Sequence, residues 1–174
     1  YKRQRESCRN IRLFISGSAP LLPQTWKDFR NRTGHAILER YGMSEAGMIT
    51  SNPLDGERVP GSVGFALPEI KVQIRDAGGN SLPRGKTGVL ELRGPNVFKG
   101  YWGKPEATAV VVREDGFFIS GDLANMDTEG RITIVGRDHD LVITGGFNVY
   151  PKEVEDCLNQ LSGIVESAVI GVPC

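Results

Sequence analysis

The sequence is poor in the residues that build metal centres and disulfide frameworks. Its 174 residues include three cysteines, with no Cys-x-x-Cys pair, and two histidines, His35 and His139. The odd, scattered set Cys8, Cys157 and Cys174 reads as buried or incidental thiols in a reducing compartment, with Cys157 on an inward helix face. Two histidines exclude a His-rich metal cluster. Charge of one sign is also lacking. Lys+Arg and Asp+Glu both number 21, so the formal net charge is zero. Nothing electrostatic argues for nucleic acid or an anionic membrane. No apolar run approaches the roughly 20 residues of a membrane span. Residues 1–6 are polar with no apolar run behind them, so they are not read as a signal peptide. There is no initiator methionine, no internal repeat and no low-complexity tract.

What is present is ordinary for a globular protein: 39% hydrophobic and 24% charged residues. The length suits one domain, or one and a small part. Twenty-two glycines and ten prolines imply many turns. Residues 1–10 read as a frayed segment or the tail of a helix. Ile11–Ile15 alternates as a strand and runs into the small residues Ser16-Gly17-Ser18-Ala19-Pro20. Leu22, Trp26 and Phe29 recur at i, i+4, i+7, so the spacing predicts a helix over 22–33 with Gly34 as its stop. A strand at 36–40 follows, and the order suits a parallel pair joined by a crossover helix. That strand ends in Glu39-Arg40-Tyr41-Gly42-Met43-Ser44-Glu45-Ala46-Gly47. Here an aromatic ring, two glycines, a hydroxyl and a carboxylate crowd a strand end, where α/β folds place their chemistry. A polar loop with no further role would look the same.

From about residue 51 the pattern becomes β-rich. Alternating runs at Lys71–Arg75, Val89–Arg93, Phe117–Ser120 and Arg131–Val135 are separated by Gly/Asp turns, as in meanders or a small barrel. A short helix is expected at Pro105–Val111. Gly136–Asp140 reads as a polar linker. Beyond it come a short strand at Leu141–Thr144, the pair Gly145-Gly146 and a helix opened by Pro151. Val154, Cys157, Leu158 and Leu161 form that helix's apolar stripe, Gly163 ends it, and Val165–Val172 reads as a buried strand.

Polar-glycine clusters thus recur at strand ends, at 16–20, 41–47, 120–122 and 136–140. With their flanks they read SGSAPL, RYGMSE, DGFFISGD and GRDHDLVITGGFNVYPKEVE, and the pieces LRGPNVFKGYW and AVIGVP stand between and after them. In this order and spacing the chain resembles the adenylate-forming acyl-CoA synthetases. That superfamily includes acetyl-CoA synthetases, coumarate ligases, firefly luciferase and peptide-synthetase adenylation domains. The resemblance runs from about Ile11 to Val172. It implies an α/β fold: the C-terminal part of a large adenylate-forming domain over 1–136, then a hinge and the start of a small α+β domain over 137–174. The large-domain part comprises an α/β unit (1–50) and a β-rich, barrel-like module (51–136).

The resemblance also implies a reaction and a site. A carboxylate attacks the α-phosphate of ATP, and the thiol of CoA then displaces AMP to give a thioester. Gly17, Ser18, Ala19 and Pro20 would lie over adenine, where small side chains permit close approach. Tyr41 would stack on the other face of the base; without its neighbours it would read as a core aromatic. Ser44, where the family usually has Thr, would bond a phosphate oxygen. Glu45 would hold Mg²⁺. Asp122 would accept the ribose hydroxyls and Arg137 would sit near ribose and phosphate. His139 falls at the hinge, where the family commonly has Asp or Lys. Gly145 and Gly146 would border the CoA tunnel, though a plain strand-end turn reads the same.

Arg40 bears on the acid. Relatives that take aromatic acids commonly have glycine there, and a guanidinium would suit a second carboxylate. With the run RYGMSE…SNP…GxRxPGxVG it resembles the malonyl-CoA synthetase branch, so malonate or methylmalonate is the expected small-molecule partner. Arg58 is a second candidate for that contact, and a structural ion pair is the alternative for Arg40. A fatty acid, another acid or a noncatalytic nucleotide-binding remnant are the competing readings. The family's phosphate loop and C-terminal lysine have no counterpart in the sequence, so the chain reads as an internal piece that does not adenylate alone. Cytoplasm, or in a eukaryote the mitochondrial matrix, fits the thiols. Nothing in the sequence sets an oligomeric state.

Overall fold

Trp26 shows how the first unit holds together. The computed structural model describes residues 2–172, in which helix α1 (Lys2–Cys8) and the short strand β1 (Ile15–Ser16) precede helix α2 (Pro23–Thr33). Pro23 sits at the first turn of α2, where its missing N–H costs no bond. Gly34 closes the helix in the left-handed region at φ 83°, its N–H donating to Arg30 O. Trp26 is 3% exposed, and its Nε1 donates to Ile37 O at 2.9 Å, fixing the helix to the chain entering strand β2 (Leu38–Met43). Strands β1 and β2 pair in parallel with Ile15 opposite Leu38, so the expected crossover is present. Of the five residues expected in the first strand only Ile15 joins the sheet, followed by Ser16, because β1 has β2 as its one neighbour and lies at the edge.

Strand β2 runs further than the sequence suggested. It continues through Tyr41-Gly42-Met43, turns at residues 44–46 and returns as β3 (Gly47–Ser51), with a bulge at Tyr41/Gly42. The expected loop is therefore a hairpin. Gly42 is demanded by that hairpin itself: a Cβ there would collide with Gly47 O and lie 2.6 Å from Met48 Cε. β4 (Phe65–Ala66) completes this sheet in the order β1-β2-β3-β4.

The second sheet is a consecutive antiparallel meander of β5 (Lys71–Arg75), β6 (Gly88–Arg93), β7 (Phe118–Met126) and β8 (Ile132–Arg137). Helix α3 (Pro105–Val111) bridges β6 to β7, where the sequence placed it. Two groups of buried side chains form the core. One joins Ala46 and Ile49 of the first sheet to Leu92 and Phe118 of the second. The other lies within the meander, at Ile74, Leu90, Ala124 and Ile132. Tyr41 packs against both. Asn52 and Ser62 tie the sheets together. Asn52 Nδ2 donates to Glu39 O and Ser62 O, and Ser62 Oγ donates to Ile132 O at 2.8 Å.

Inside the meander lies a group the sequence did not reveal. Glu91 is fully buried and takes Arg113 (Nη2 2.6 Å, Nε 2.7 Å) and Arg75 (Nε 3.2 Å). Arg75 and Arg93 in turn lie over the Phe117 ring. A buried carboxylate of this kind persists only when it is paired.

After β8 a single 3₁₀ turn (Asp138–Asp140) leads to the hairpin β9 (Val142–Thr144) and β10 (Phe147–Val149), then to helix α4 (Pro151–Leu158) beside β8. Three expectations fail here. Cys157 and Val154 are exposed because α4 turns its other face inward, and Leu161, beyond the helix, is exposed as well. That face carries Lys152 and Asp156, ion-paired at 2.8 Å, together with Glu155. Val165–Val172 forms no ladder. A strand needs a neighbouring edge, and this segment is held instead by side chains, through Val169 N on Glu155 Oε1 (2.9 Å) and Ser167 Oγ on Asn159 Oδ1 (2.9 Å). The helix also stops at Leu158, short of Gly163. Cys174 lies outside the described residues.

Candidate active site

The carboxyl ends of β1 and β2 open onto a cleft of about 1110 Å³. That is where an open parallel pair exposes its ligand crevice. Ser18, Ala19 and Pro20 form one lip; Arg40 and Tyr41 line the floor; Asp122, Arg137 and His139 face them from the meander and the turn after it. The cleft thus gathers residues more than 100 positions apart in sequence.

Asp122 is the centre of its polar network. It follows Gly121, whose φ of 73° puckers β7, and its N–H donates to Ser120 Oγ at 3.1 Å. Ser120 Oγ donates to Leu90 O at 2.7 Å, so the bend is anchored to the neighbouring strand. The carboxylate is 4% exposed. One oxygen accepts a short hydrogen bond from the Tyr41 hydroxyl, and the other pairs with Arg137 Nε at 3.0 Å. Burial raises the Asp122 carboxyl above its ordinary pKa, while the Tyr41 bond and the Arg137 charge pull it partly back. Burial and then the charge of Asp122 raise the Tyr41 phenol, which therefore stays a donor. Tyr41 packs against the core and also lines the cleft.

The lip is built tightly. Ser18 sits at φ 69°, a left-handed conformation that side chains seldom adopt and that often marks functional loops. A Cβ on Gly17 would meet Arg40 O at 3.4 Å and Arg40 Cγ at 3.6 Å, so the loop rests on Arg40. Arg40 is exposed on the cleft side and makes no ion pair with a carboxylate of the described residues. Arg58 is different: its guanidinium is committed to the carbonyls of Ala36 (2.6 Å), Pro53 (3.1 Å) and Leu54 (2.5 Å), which leaves it a loop staple rather than an acid contact. Glu39, beside Arg40, is buried and accepts from Gly61 N at 3.0 Å. Desolvation raises its pKa, opposed by the Gly61 bond and by the charge of Lys152 on α4.

Among the other expected residues, Ser44, Glu45, Gly145 and Gly146 lie apart from the cleft wall. Ser44 and Glu45 occupy the β2–β3 turn beside the cleft residue Met43, with Ser44 exposed and Glu45 half-buried. Gly145 and Gly146 form the β9–β10 turn at φ 56° and 81°, a conformation that by itself calls for glycine at both positions. His139 is exposed on the 3₁₀ turn, its Nε2 3.5 Å from Asp140 Oδ1. From the sequence no role fell to Ser120, Glu39 or Lys152, nor to Tyr101, whose hydroxyl reaches Glu45 Oε1 at 3.0 Å. The run 92–102 had already been singled out by its motif, so a signal for Tyr101 was present.

The fold is that of an α/β protein with an open cleft at its parallel strand ends. Residues 1–102 match the model of the AMP-binding enzyme family, and the chain belongs to that family. It is similar to ATP-bound MatB from Rhodopseudomonas palustris, with 58% identity and a TM-score of 0.96 over 98% of this chain and 34% of that one. It is 41% identical to a long-chain-fatty-acid–CoA ligase of Yersinia pestis over 94% of this chain and 29% of the relative. It is 43% identical to a mitochondrial malonate–CoA ligase of Mus musculus over 94% of this chain and 31% of the relative. The chain thus spans about a third of the length of the relatives it matches. Among the described residues no helix is long and apolar enough to cross a membrane.

Proposed function

We propose that this chain supplies one wall of the active cleft of an ATP-dependent acid:CoA ligase acting on malonate or methylmalonate. The observation that carries the reading is Arg40, a cation on the cleft floor without a carboxylate partner among the described residues, on the strand that also presents Tyr41 to Asp122. In this reading the lip 17–20 and the Tyr41 ring receive adenine. Asp122 exchanges its Tyr41 or Arg137 contact for the ribose hydroxyls, and Arg137 then faces the phosphates. Arg40 receives the second carboxylate of the acid bidentately. The hairpin turn at Gly145-Gly146 lies on the CoA side, and the segment after 136 turns about His139 as a separate small domain.

The donor set at residues 44–45 suits Mg²⁺. No group of three or more His, Cys, Asp or Glu among the described residues forms a metal cage, and Mg²⁺ is held by one or two carboxylates with phosphate oxygens and water. Glu45 would be that carboxylate, and Ser44 would bond a phosphate oxygen. When bound, the ion neutralises charge on the ATP phosphates. The protein's remaining work is to orient the acid carboxylate toward the α-phosphate and to exclude water.

Identity to the Yersinia ligase favours a long-chain acid as a second reading, but a charged guanidinium on the floor is a poor neighbour for an alkyl tail. The test is thioester formation by a complete enzyme carrying these residues, across malonate, methylmalonate, acetate and octanoate. The expected result is preferential use of the two dicarboxylates. Preference for octanoate would replace this reading with the second one.

A further inference from the structure

Tyr101 belongs to the connector between β6 and α3, far in sequence from the hairpin turn that carries Glu45. The connector nevertheless grips that turn at successive points. Phe98 N donates to Glu45 O at 2.7 Å, Asn96 Nδ2 donates to Ala46 O at 2.6 Å, and Tyr101 Oη donates to Glu45 Oε1 at 3.0 Å. The first two fix the backbone of the turn. The third acts on the carboxylate alone.

The tyrosine is itself aimed from behind. Its ring meets Phe98 edge-on at 4.8 Å, and Phe98 meets the buried Phe118 edge-on at 5.5 Å. Its N–H donates to Thr108 Oγ1 at 2.9 Å, and the preceding Gly100 packs so closely that a Cβ would lie 2.7 Å from Thr108 Cγ2. Ring and backbone are thereby anchored to β7 and α3, and the hydroxyl is delivered to one carboxylate oxygen.

We infer that Tyr101 is a positioning residue that orients the Glu45 carboxylate for a divalent cation. The inference rests on the role given to Glu45 above. A neutral phenol bonded to Oε1 fixes the rotamer and leaves the lone pairs of Oε2 for the ion. A ligating carboxylate held by an outer hydrogen bond binds metal more tightly than a free one. Ordering a flexible Glu side chain in advance removes part of the entropy lost on binding.

The experiment compares Tyr101→Phe, Glu45→Gln and the double variant in a complete synthetase carrying these residues. The readout is Mn²⁺ affinity in the presence of ATP, followed by electron paramagnetic resonance, with ATP affinity in EDTA and thermal melting measured alongside. Tyr101→Phe keeps the ring and removes the hydroxyl. It should weaken Mn²⁺ binding about threefold to tenfold, the scale of one charge-assisted hydrogen bond discounted for exposure. Metal-free ATP affinity should hold, and the substitution should add nothing once Glu45 is Gln. Unchanged Mn²⁺ affinity in Tyr101→Phe beside a loss in Glu45→Gln overturns the inference and leaves the proposed function standing. So does a shifted melt without a metal effect, which would make the hydroxyl merely structural. Unchanged affinity in Glu45→Gln instead refutes the metal role of Glu45, and the inference with it.

Discussion

Replacing Arg40 with alanine separates the two carboxylates of a dicarboxylic acid in a single measurement. The side chain lines the cleft, is exposed, and has no carboxylate partner among the described residues, so its removal strands no buried charge. Stability should therefore move by less than about 0.5 kcal/mol. The loss should fall on the acid. A bidentate guanidinium–carboxylate contact is worth about 1.5–3 kcal/mol as a charged hydrogen-bonded pair, and solvent exposure brings the working figure to about 2 kcal/mol. At 1.4 kcal/mol per decade this is roughly a 30-fold fall in kcat/KM for malonate. Acetate, which has no second carboxylate, should change by less than about threefold. Arg40→Lys keeps the charge but loses the planar fork, so it should fall between the two. The malonate advantage should also shrink as salt is raised. The assay is thioester formation with each acid at equal ATP and CoA. Equal losses for malonate and acetate would refute the reasoning, because they would make Arg40 a contributor to the shared chemistry and not a reader of the second carboxylate.

Two further expectations follow from the buried carboxylates. Glu91→Ala should destabilise the protein by about 3 kcal/mol in urea unfolding, since Arg75 and Arg113 lose the partner they converge on; an effect below 1 kcal/mol would deny the network any structural weight. Asp122 carries the opposite sign of pH dependence from a salt-bridged surface carboxylate. Its folded pKa is raised by burial, so the folded state holds the proton more tightly than the unfolded one. Its contribution is fully present below the unfolded value near 3.8 and is lost as pH rises through the higher folded value. Asp122→Asn should therefore gain on the natural protein as pH rises from 4 to 7, measured by urea unfolding at each pH. A difference that stays flat across that range would show that Asp122 is not raised.

The sequence announced α2 and the meander because each rests on a local pattern: the i, i+4, i+7 spacing around Trp26, and alternating runs between Gly/Asp turns. It misjudged β2 because Tyr41-Gly42-Met43 carries the composition of a loop, while a returning strand supplies the ladder that keeps it extended. It misjudged Cys157 and Val165–Val172 because both readings assumed that apolar residues find apolar partners. On α4 the ion pair Lys152–Asp156 faces inward instead, and no propensity records which face docks. The residues of the cleft were legible through their motifs. Their joints were not, because Tyr41 to Asp122, Ser120 to Leu90 and Tyr101 to Glu45 span 81, 30 and 56 positions.

Those joints bear on how the cleft would respond to a rotation of the segment after 136. Arg137 is the last residue of β8, and the 3₁₀ turn with His139 starts at the next position. The same Arg137 holds one oxygen of Asp122, whose other oxygen is held by Tyr41. Any rotation of the chain that begins after 136 therefore acts first on a 3.0 Å ion pair to the buried carboxylate. Losing that pair removes one of the interactions that offset the burial of Asp122, which raises its proton affinity further. A hydroxyl donor entering the cleft would restore the lost contact. In the function proposed above, ligand occupancy and the setting of the 137–142 segment would be coupled through one carboxylate, and each should stabilise the other by the same free energy.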